Sequence, residues 1–297
     1  MDNVAWDSIE EVELVRVGST AEVYNTIGGY VNVVTKSGSN KFSGSAQIYY
    51  TNENLTQILL PEEELDTLGI SKPSVSVYDI DTGASLSGPI LRDKIWFVTE
   101  AKYFRRKFTG DFKPTTILGK KYEAYDRERP GWAFYGKLSF RLLNNLRFFA
   151  MGHYSIEDVP HYYGGWWRTA EANKHNKPIR FNWSTNLSWI VNPDTILDLR
   201  VGGLYFKWTG TNSPEAKPGP YFIDAYTGYE WGNSNLEEFT YKPKFYASLN
   251  LTHFRRDLLG GDHEIKAGVE IERNRGDWGF YRQDPMFWYY YNGNPYY

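Results

Sequence analysis

Cysteine is absent from the sequence, as are long apolar runs and a clear excess of one charge. Without thiols the chain has no disulfide, no zinc–thiolate centre and no cysteine nucleophile. No apolar stretch reaches the ~18 residues that a membrane-spanning helix needs. A formal net charge of -3 over 297 residues offers no electrostatic footprint for nucleic acid. We therefore expect neither helical membrane spans nor a nucleic-acid partner.

Familiar catalytic patterns are missing as well. The sequence holds no G-x-S-x-G, H-E-x-x-H or P-loop pattern. Carboxylates such as Glu264, Glu270 and Glu272 alternate along one strand, which is more typical of a hydrated wall than of an acid–base pair. We expect no enzyme activity, no catalytic residue, no cofactor and no metal site. The histidines lack metal-ligand spacing, and they are His153, His161, His175, His253 and His263.

Aromatic residues, in contrast, are abundant, with 24 Tyr, 17 Phe and 11 Trp. Together with a mean hydropathy of -0.56, this surplus fits strands that are wet on one face and apolar on the other. Tyr49, Tyr50, Trp132, Trp208 and Tyr246 lie near the ends of predicted strands. Such positions are typical of aromatic girdles at membrane interfaces.

Alternation with a period of two runs through most of the chain. In "WAFYGKLSF", Trp132 and Phe134 point to one side, and Tyr135 and Lys137 point to the other. The same pattern recurs in "RFNWSTNLSWIV" (180–191) and "HEIKAGVEIER" (263–273). Because the polar side is repeatedly charged, it must face water or a polar lumen. This pattern predicts an all-β fold of half-buried strands.

The connections between the predicted strands alternate in length. Short turns at 91–94, 142–145, 191–195 and 255–263 separate long segments at 52–81, 106–131, 156–179 and 208–242. Short turns on one rim and long loops on the other are the layout of outer-membrane β-barrels. The nine predicted strands are 43–51, 82–91, 94–105, 132–142, 145–155, 180–191, 194–207, 243–254 and 262–273.

The strand count predicts only part of a barrel. Nine is odd, whereas bacterial single-chain barrels have an even number of strands, and an open edge cannot remain in lipid. The N-terminal "MDNVAWDSIEEVELV" has no basic and apolar signal pattern. We therefore expect a longer protein that extends beyond both ends of this chain. A soluble β-sandwich is the alternative fold, although alternating loop lengths are hard to explain in a sandwich.

Three blocks resemble one protein family. "IEEVELVRVGSTAEVYNTIGGYVNVVTKSGSNKFSGSAQIYY" (9–50) is similar to the end of the plug and the first barrel strand of TonB-dependent outer-membrane receptors of the Oar-like, carboxypeptidase-regulatory type. "SLSGPILRDKIWFVTEAKYFRR" (85–106) resembles the hairpin of their second and third strands, and "GGDHEIKAGVEIER" (260–273) resembles a later strand. The chain departs from the family at Asn25, where a glycine is usual.

The resemblance implies a division into two parts. Residues 1–40 would be the C-terminal part of the plug. Residues 41–297 would begin a transmembrane β-barrel of about 22 strands, with short periplasmic turns and long extracellular loops. The β-branched run after Gly28 suits a buried plug strand, and the polar positions from Ser43 onward suit a lumen face against it. The plug–barrel junction is predicted at Gly28, Gly29, Asn32, Thr35, Lys36 and Gly38.

The resemblance also implies a function. Such a receptor lies in the outer membrane of a Gram-negative bacterium and takes up an oligosaccharide, a siderophore or a peptide into the periplasm. Its partners would be the TonB–ExbB–ExbD complex, engaged through an N-terminal part outside this chain, and outer-membrane lipid. The basic segment "YFRRKF" (103–108) suits lipopolysaccharide or a solvated loop stem equally. A passive porin and a secreted carbohydrate-binding β-domain are the alternatives.

Aromatic residues in the long loops are the candidate ligand contacts. "HYYGGWWR" (161–168) combines flat rings that stack on a sugar, an aromatic or an aliphatic group with an arginine that binds a carboxylate or phosphate. "YTGYEWGN" (226–233) has a similar composition. Packing within the loops or at the membrane interface would explain the same rings. The candidate residues are Tyr162, Tyr163, Trp166, Trp167, Arg168, Tyr229 and Trp231.

Overall fold

The structure is a computed structural model that describes residues 8–15, 29–55, 64, 76–109, 112–163, 165–234, 236–282 and 287–296. Nearly all of the regular structure in these ranges is β. Among the described residues, no helix is long and apolar enough to cross a membrane. The strands are β1 Ile9–Val15, β2 Tyr30–Thr35, β3 Ser43–Asn52, β4 Ser76–Leu91, β5 Ile95–Phe108, β6 Thr115–Ile117, β7 Lys120–Tyr122, β8 Arg127–Leu143, β9 Leu146–Glu157, β10 Lys174–Asn176, β11 Ile179–Asn192, β12 Thr195–Asn212, β13 Tyr221–Asp224, β14 Glu230–Gly232, β15 Leu236–Tyr241, β16 Lys244–Leu258, β17 Gly261–Asn274, β18 Asp277–Arg282, β19 Phe287–Tyr291 and β20 Asn294–Tyr296.

Nine long strands of the described ranges form one antiparallel meander, which is the wall of the molecule. Their order is β17-β16-β12-β11-β9-β8-β5-β4-β3, so each long strand pairs with the next long strand along the chain. This arrangement confirms the predicted all-β fold and the partial barrel. Within the described residues β3 and β17 are the two edges of the wall.

The wall strands are longer than the sequence predicts. β4 begins at residue 76 rather than 82, and β8 has 17 residues instead of 11. Ion pairs connect the additional residues at these strand ends: Arg106 pairs with Asp79 at 2.6 Å, and Arg105 pairs with Glu128 at 2.5 Å. The alternation of apolar and polar residues ends before the strands do, because these outer ends carry polar side chains on both faces.

The wall has two chemically different faces. On β8, Trp132 and Phe134 are 48% and 44% exposed and lie on the outer face. Tyr135 and Lys137 lie on the opposite, inner face and are 5% and 7% exposed. The inner face is the one that contacts β1–β2, and ion pairs such as Lys102 with Asp81 at 2.6 Å lie on it. An apolar outer face and a polar inner face are what a strand wall in lipid requires.

Three of the predicted girdle residues, Tyr49, Trp208 and Tyr246, lie on the inner face by strand register. Tyr246 pairs with Gly202 and lies over it, so that a Cβ on Gly202 would approach the Tyr246 ring to 2.6 Å. Its hydroxyl lies 3.3 Å from the Ser184 hydroxyl, which is also on the inner face. Tyr246 therefore fills the space above a glycine inside the wall instead of belonging to an outer girdle. Position near a strand end cannot distinguish the two faces.

β1 and β2 form a separate two-stranded antiparallel sheet, in which Val12 pairs with Val33 and Leu14 with Val31. The sheet lies against the inner face because its last residue, Thr35, contacts both β8 and β9. From Thr35 the chain runs through residues 36–42 directly into β3. We call residues 36–42 the linker.

The two rims of the wall differ in size, as the connection lengths predict. Turns of two or three residues join β4 to β5, β8 to β9, β11 to β12 and β16 to β17, and we call this edge the short-turn rim. The opposite edge, the long-loop rim, carries structure of its own. β14-β13-β19-β20 form a four-stranded sheet there, with β13 and β19 parallel, and β6 and β7 form a hairpin.

Candidate functional site

Lys137 connects the linker to the wall. Its side chain is buried on the inner face of β8, and its ammonium group donates to the Thr35 carbonyl at 3.0 Å, the Thr35 hydroxyl at 3.1 Å and the Ser37 hydroxyl at 3.2 Å. The Thr35 hydroxyl also lies 3.6 Å from the Met151 sulfur on β9. The three hydrogen bonds of the ammonium group therefore hold the end of β2 and the start of the linker.

A second contact fixes the linker at the short-turn rim. The Asn40 side-chain oxygen accepts from the Asp93 backbone N–H at 2.9 Å and from the Trp96 indole N–H at 2.9 Å. Its amide nitrogen donates to the Asp93 carboxylate at 2.5 Å. One asparagine side chain thus joins the linker to the β4–β5 turn and to the start of β5. Lys137 and Asn40 hold the linker at two points.

The residues predicted for the junction lie around these contacts. Gly29 has a φ of 135°, which favours glycine, and it comes directly before β2. Asn32 donates to Glu13 at 3.4 Å, and the Lys36 N–H donates to the Ser8 carbonyl at 2.7 Å. A Cβ on Gly38 would lie 2.7 Å from the Phe97 carbonyl oxygen, so the linker passes too close to β5 for a side chain. Gly28 lies outside the described residues.

At the long-loop rim, aromatic residues form a buried core that we call the loop cluster. Its centre is fully buried, and half-buried rings surround it. The Phe222 and Trp231 rings stack with centroids 5.4 Å apart, and Tyr290 meets Trp231 at 5.3 Å. The cluster joins segments that lie far apart in the chain, which makes the loops one packed unit. Its members are Phe112, Ile117, Tyr122 and Trp231, surrounded by Tyr125, Phe222, Tyr229 and Tyr290.

Asp224 fixes the polar edge of this unit. Its carboxylate is 4% exposed and accepts four backbone N–H groups: Tyr226 at 2.9 Å, Thr227 at 3.1 Å, Asn292 at 3.2 Å and Gly293 at 2.8 Å. Burial opposes the charge of the Asp224 carboxylate, but these four donors outweigh it and hold its pKa below the ordinary value. The carboxylate thereby joins the turn after β13 to the turn between β19 and β20.

Three of the predicted ligand residues have accessible rings. Trp166 is 54% exposed and Tyr162 is 38% exposed, while Trp167 is half-buried. Trp166 meets Trp167 and Tyr229 edge to face, with centroids 5.9 and 6.0 Å apart. Tyr162 packs edge to face on Trp208 at 5.7 Å. More than half of the Trp166 surface stays exposed beside these neighbours, which suits stacking by a flat ligand.

Arg168 and Tyr163 belong to a buried charge network instead. Arg168 pairs with Glu230, and its guanidinium group lies 5.0 Å from the centre of the Tyr163 ring. Tyr163 donates to Glu238 at 2.9 Å, and the same carboxylate pairs with Lys174 at 2.6 Å. Burial and the bond to Glu238 raise the pKa of Tyr163. Opposing effects act on Arg168, whose pKa is raised because Glu230 outweighs the burial penalty.

The last two predicted ligand residues lie in the loop cluster. Trp231 is 5% exposed, and Tyr229 is half-buried with its ring 6.4 Å from that of Phe112. Of the predicted ligand residues, Trp166 and Tyr162 therefore present the most surface, and Trp231 presents the least. The ligand contacts themselves stay a prediction.

Several functional positions were missed in the sequence. The sequence pattern places Lys137 on the polar face of its strand, but nothing in the pattern connects it with Thr35, 102 positions away. Asn40 reads as an ordinary turn residue, and Glu230 and Glu238 as loop carboxylates. Each gains its role from a partner that only the folded chain brings near.

His161, His175, His253 and His263 each have different polar partners. His161 contacts the Asp126 carbonyl at 3.1 Å and the Glu215 carboxylate at 2.9 Å, which connects three loops. Burial works against the Glu215 charge, but the bonds from His161 and Ser213 outweigh it and lower the Glu215 pKa. In the described ranges, no three His, Cys, Asp or Glu side chains group closely enough for a metal ion.

Comparison with known proteins agrees with this architecture. The crystal structure of the outer membrane transporter YddB from Escherichia coli matches with a TM-score of 0.56 and 12% identity, over 91% of this chain and 41% of that one. A stretch of 99 residues, 30% of the chain, is 32% identical to the TonB-dependent transporter Oar of Myxococcus xanthus and covers 8% of that protein. No protein-family model matches the chain.

Fold and comparisons together define an all-β partial barrel of the outer-membrane type, and they support an outer-membrane location. The chain is similar, over a limited stretch, to a TonB-dependent transporter. It spans less than half the length of each of these two proteins.

Proposed function

We propose that the chain is part of a TonB-dependent transporter of the Oar-like type, and that β1–β2 is the end of its plug. The observation that carries this proposal is the attachment of β2 to the inner face of the wall through Lys137. A passive porin has no need to hold a strand pair inside its lumen in this way. On this proposal the short-turn rim faces the periplasm and the long-loop rim faces the outside.

The transport step needs no covalent chemistry. A ligand is captured at the long-loop rim, the TonB–ExbB–ExbD complex pulls on the plug, and the ligand passes to the periplasm. The linker must transmit or resist this pull because it is the covalent connection between β2 and the wall. Its two attachments, at Lys137 and at Asn40, fit a segment that stays with the wall while the plug rearranges. The partner complex and lipopolysaccharide at 103–108 stay proposals.

Conductance of the whole protein in a planar bilayer tests the plug directly. We expect a low basal conductance, because a plug fills the lumen. Openings should be more frequent in Lys137→Met, which loses two hydrogen bonds to Thr35 at the end of β2 and one to Ser37 in the linker. Lys266→Met is the matched control, because this inner-facing lysine pairs with Glu264 on its own strand at 3.5 Å. A steady large conductance in the unmodified protein would instead identify a porin.

Membrane location is tested separately. The protein should fractionate with the outer membrane and migrate differently on a gel before and after heating, as folded barrels do. A complete protein recovered as a soluble monomer without detergent would favour the secreted carbohydrate-binding alternative.

The ligand class that best suits the loops is a saccharide, since an exposed indole such as that of Trp166 can stack on the apolar face of a sugar ring. Trp166→Ala should weaken binding of a cognate oligosaccharide about tenfold while leaving the fold intact, because the ring is mostly exposed. Titration of ferric siderophores, peptides and oligosaccharides against the whole protein makes the comparison. Tight binding of a siderophore or peptide, with no saccharide binding, would change the proposed class but not the transport function.

A further inference from the structure

A cavity of 370 Å³ lies at the short-turn rim between the linker and the wall. The linker borders it with Ser37, Gly38, Ser39 and Asn40, and β8, β9 and β11 border it with Ser139, Arg141, Arg147 and Asn186 among others. Its size is at the lower end of the range for small-molecule pockets, about 300–1,000 Å³. Its mixed lining of polar and aromatic side chains and its position at the rim set it apart from the more apolar space deeper in the lumen.

Two arginines on the same inner face border this cavity. Arg141 and Arg147 are directly opposite residues of the β8–β9 pair. Arg141 lies two and four residues from Ser139 and Lys137, and Arg147 lies four residues from Met151. Since Lys137 and Met151 both contact Thr35, the strand period places both arginines on the inner face.

Neither guanidinium group has a carboxylate partner among the described residues. Arg141 lies over the Trp96 ring at 5.8 Å, and Asn40 in turn fixes Trp96 through the indole N–H. Asp93, the one acidic residue in the cavity lining, receives the Asn40 amide at 2.5 Å and lies beyond ion-pair distance of both arginines. The lining thus carries two cations and one anion that is already engaged.

Like charges that face each other across a strand pair repel. Two guanidinium groups that border one cavity become favourable neighbours when a bound anion accepts hydrogen bonds from both, since arginine binds carboxylate and phosphate through paired N–H groups. Hydroxyl and amide groups on the other walls, from Ser139 and Asn186, suit the remaining oxygens of such a ligand.

We propose that this cavity is a binding site for a small solute that carries a carboxylate or phosphate group, held by Arg141 and Arg147. Because the cavity has the linker as one wall, the bound solute contacts the linker and the β8–β9 hairpin together. Occupation of the site therefore restrains the linker. The site lies at the opposite rim from the aromatic loops, and its existence does not depend on the transport proposal.

Calorimetry on the whole protein in detergent tests the site with two probes, citrate and inorganic phosphate, at constant ionic strength set by chloride. We expect saturable binding of at least one probe, weakened about tenfold or more by Arg141→Gln and by Arg147→Gln, since each removes a charge-assisted pair of hydrogen bonds. Arg147→Lys keeps the charge but loses the planar fork, so its loss should be smaller. The two probes distinguish a carboxylate site from a phosphate site.

Arg200→Gln is the matched control. Arg200 is exposed, lies on the same inner face and pairs with Asn186, but it does not border the cavity. This variant should bind the probes within about threefold of the unmodified protein, because charges beyond direct contact are screened by salt. An equal loss in Arg200→Gln would show general charge attraction and overturn the site, as would binding that is unchanged in Arg141→Gln and Arg147→Gln.

Hydrogen exchange provides a second measurement that needs no variant. Citrate or phosphate should slow exchange in residues 36–42 of the unmodified protein and leave the loop cluster unaffected. Absence of both saturable binding and linker protection would refute the proposal. Because neither measurement involves uptake or conductance, a failure of the transport proposal leaves this result standing, and the reverse also holds.

Discussion

Replacement of Asp224 by asparagine measures how much one carboxylate contributes to the stability of the packed loops. Oδ1 accepts from Tyr226, Thr227 and Asn292, while Oδ2 accepts from Gly293 at 2.8 Å. An asparagine keeps one oxygen but presents an amide donor to one of the two positions. With its oxygen at Oδ1, it places N–H against the Gly293 N–H. The variant should therefore lose one charge-assisted hydrogen bond and weaken three others, at a cost of about 1.5–3 kcal/mol in local stability.

Hydrogen exchange measures this loss where it occurs. A cost of that size raises the opening equilibrium by about tenfold to a hundredfold. Exchange should accelerate by that factor in the peptides covering 221–232 and 287–296, while wall peptides keep their rates. Asp262→Asn is the control, since this exposed carboxylate accepts a single backbone N–H, from Asp257 at 3.2 Å. Unchanged exchange in both loop peptides would refute the claim that Asp224 joins them.

The pH dependence follows from the lowered Asp224 pKa. A carboxylate whose folded pKa is depressed stabilises the folded state above its unfolded pKa of about 3.9, and this stabilisation is lost as the pH falls through the folded pKa. Exchange in the two loop peptides, corrected for intrinsic rates, should therefore rise below about pH 4 in the unmodified protein. In Asp224→Asn this part of the acid dependence should be absent.

Three further changes test the wall, the loop network and the linker. Gly131→Ala should lower barrel stability in a urea titration by about 1–3 kcal/mol, since its Cβ would meet the Phe104 ring and lie 2.8 Å from the Ile156 carbonyl oxygen. Gly136→Ala on the same strand is the control. A Cβ there has nothing within 4 Å, so this variant should be near neutral in the same titration. Glu230→Gln should destabilise the loops by about 2–4 kcal/mol, because it leaves the mostly buried Arg168 without its carboxylate, and a normal exchange rate in 165–172 would contradict this. Asn40→Ala should make residues 36–42 accessible to limited proteolysis, because it removes the hydrogen bonds to Asp93 and Trp96, while the heat-modifiable barrel persists. Full resistance of the linker to the protease would show that Lys137 alone holds it.

The sequence predicts the wall well because strand alternation is a local property. Each polar or apolar position depends on the two faces of one strand, so nine strands and their order can be inferred without knowing any long-range contact. Trp132 and Lys137 lie on the faces that the pattern predicts. The resemblance at 9–50 likewise predicts an all-β partial barrel, which the fold confirms.

Only the tertiary structure decides which of these residues meet. Tyr246 near a strand end satisfies the girdle pattern, yet the side chain fills space above Gly202 inside the wall. From composition alone, the aromatic residues and the arginine of "HYYGGWWR" all look like ligand contacts. In the folded chain, however, Trp166 stays mostly exposed, whereas Arg168 forms an ion pair with Glu230. Lys137 and Thr35 are 102 residues apart, and Asn40 and Trp96 are 56 apart. They become partners because the chain returns past the same face. A period of two fixes the face of a residue, and it contains no information about what lies opposite that face.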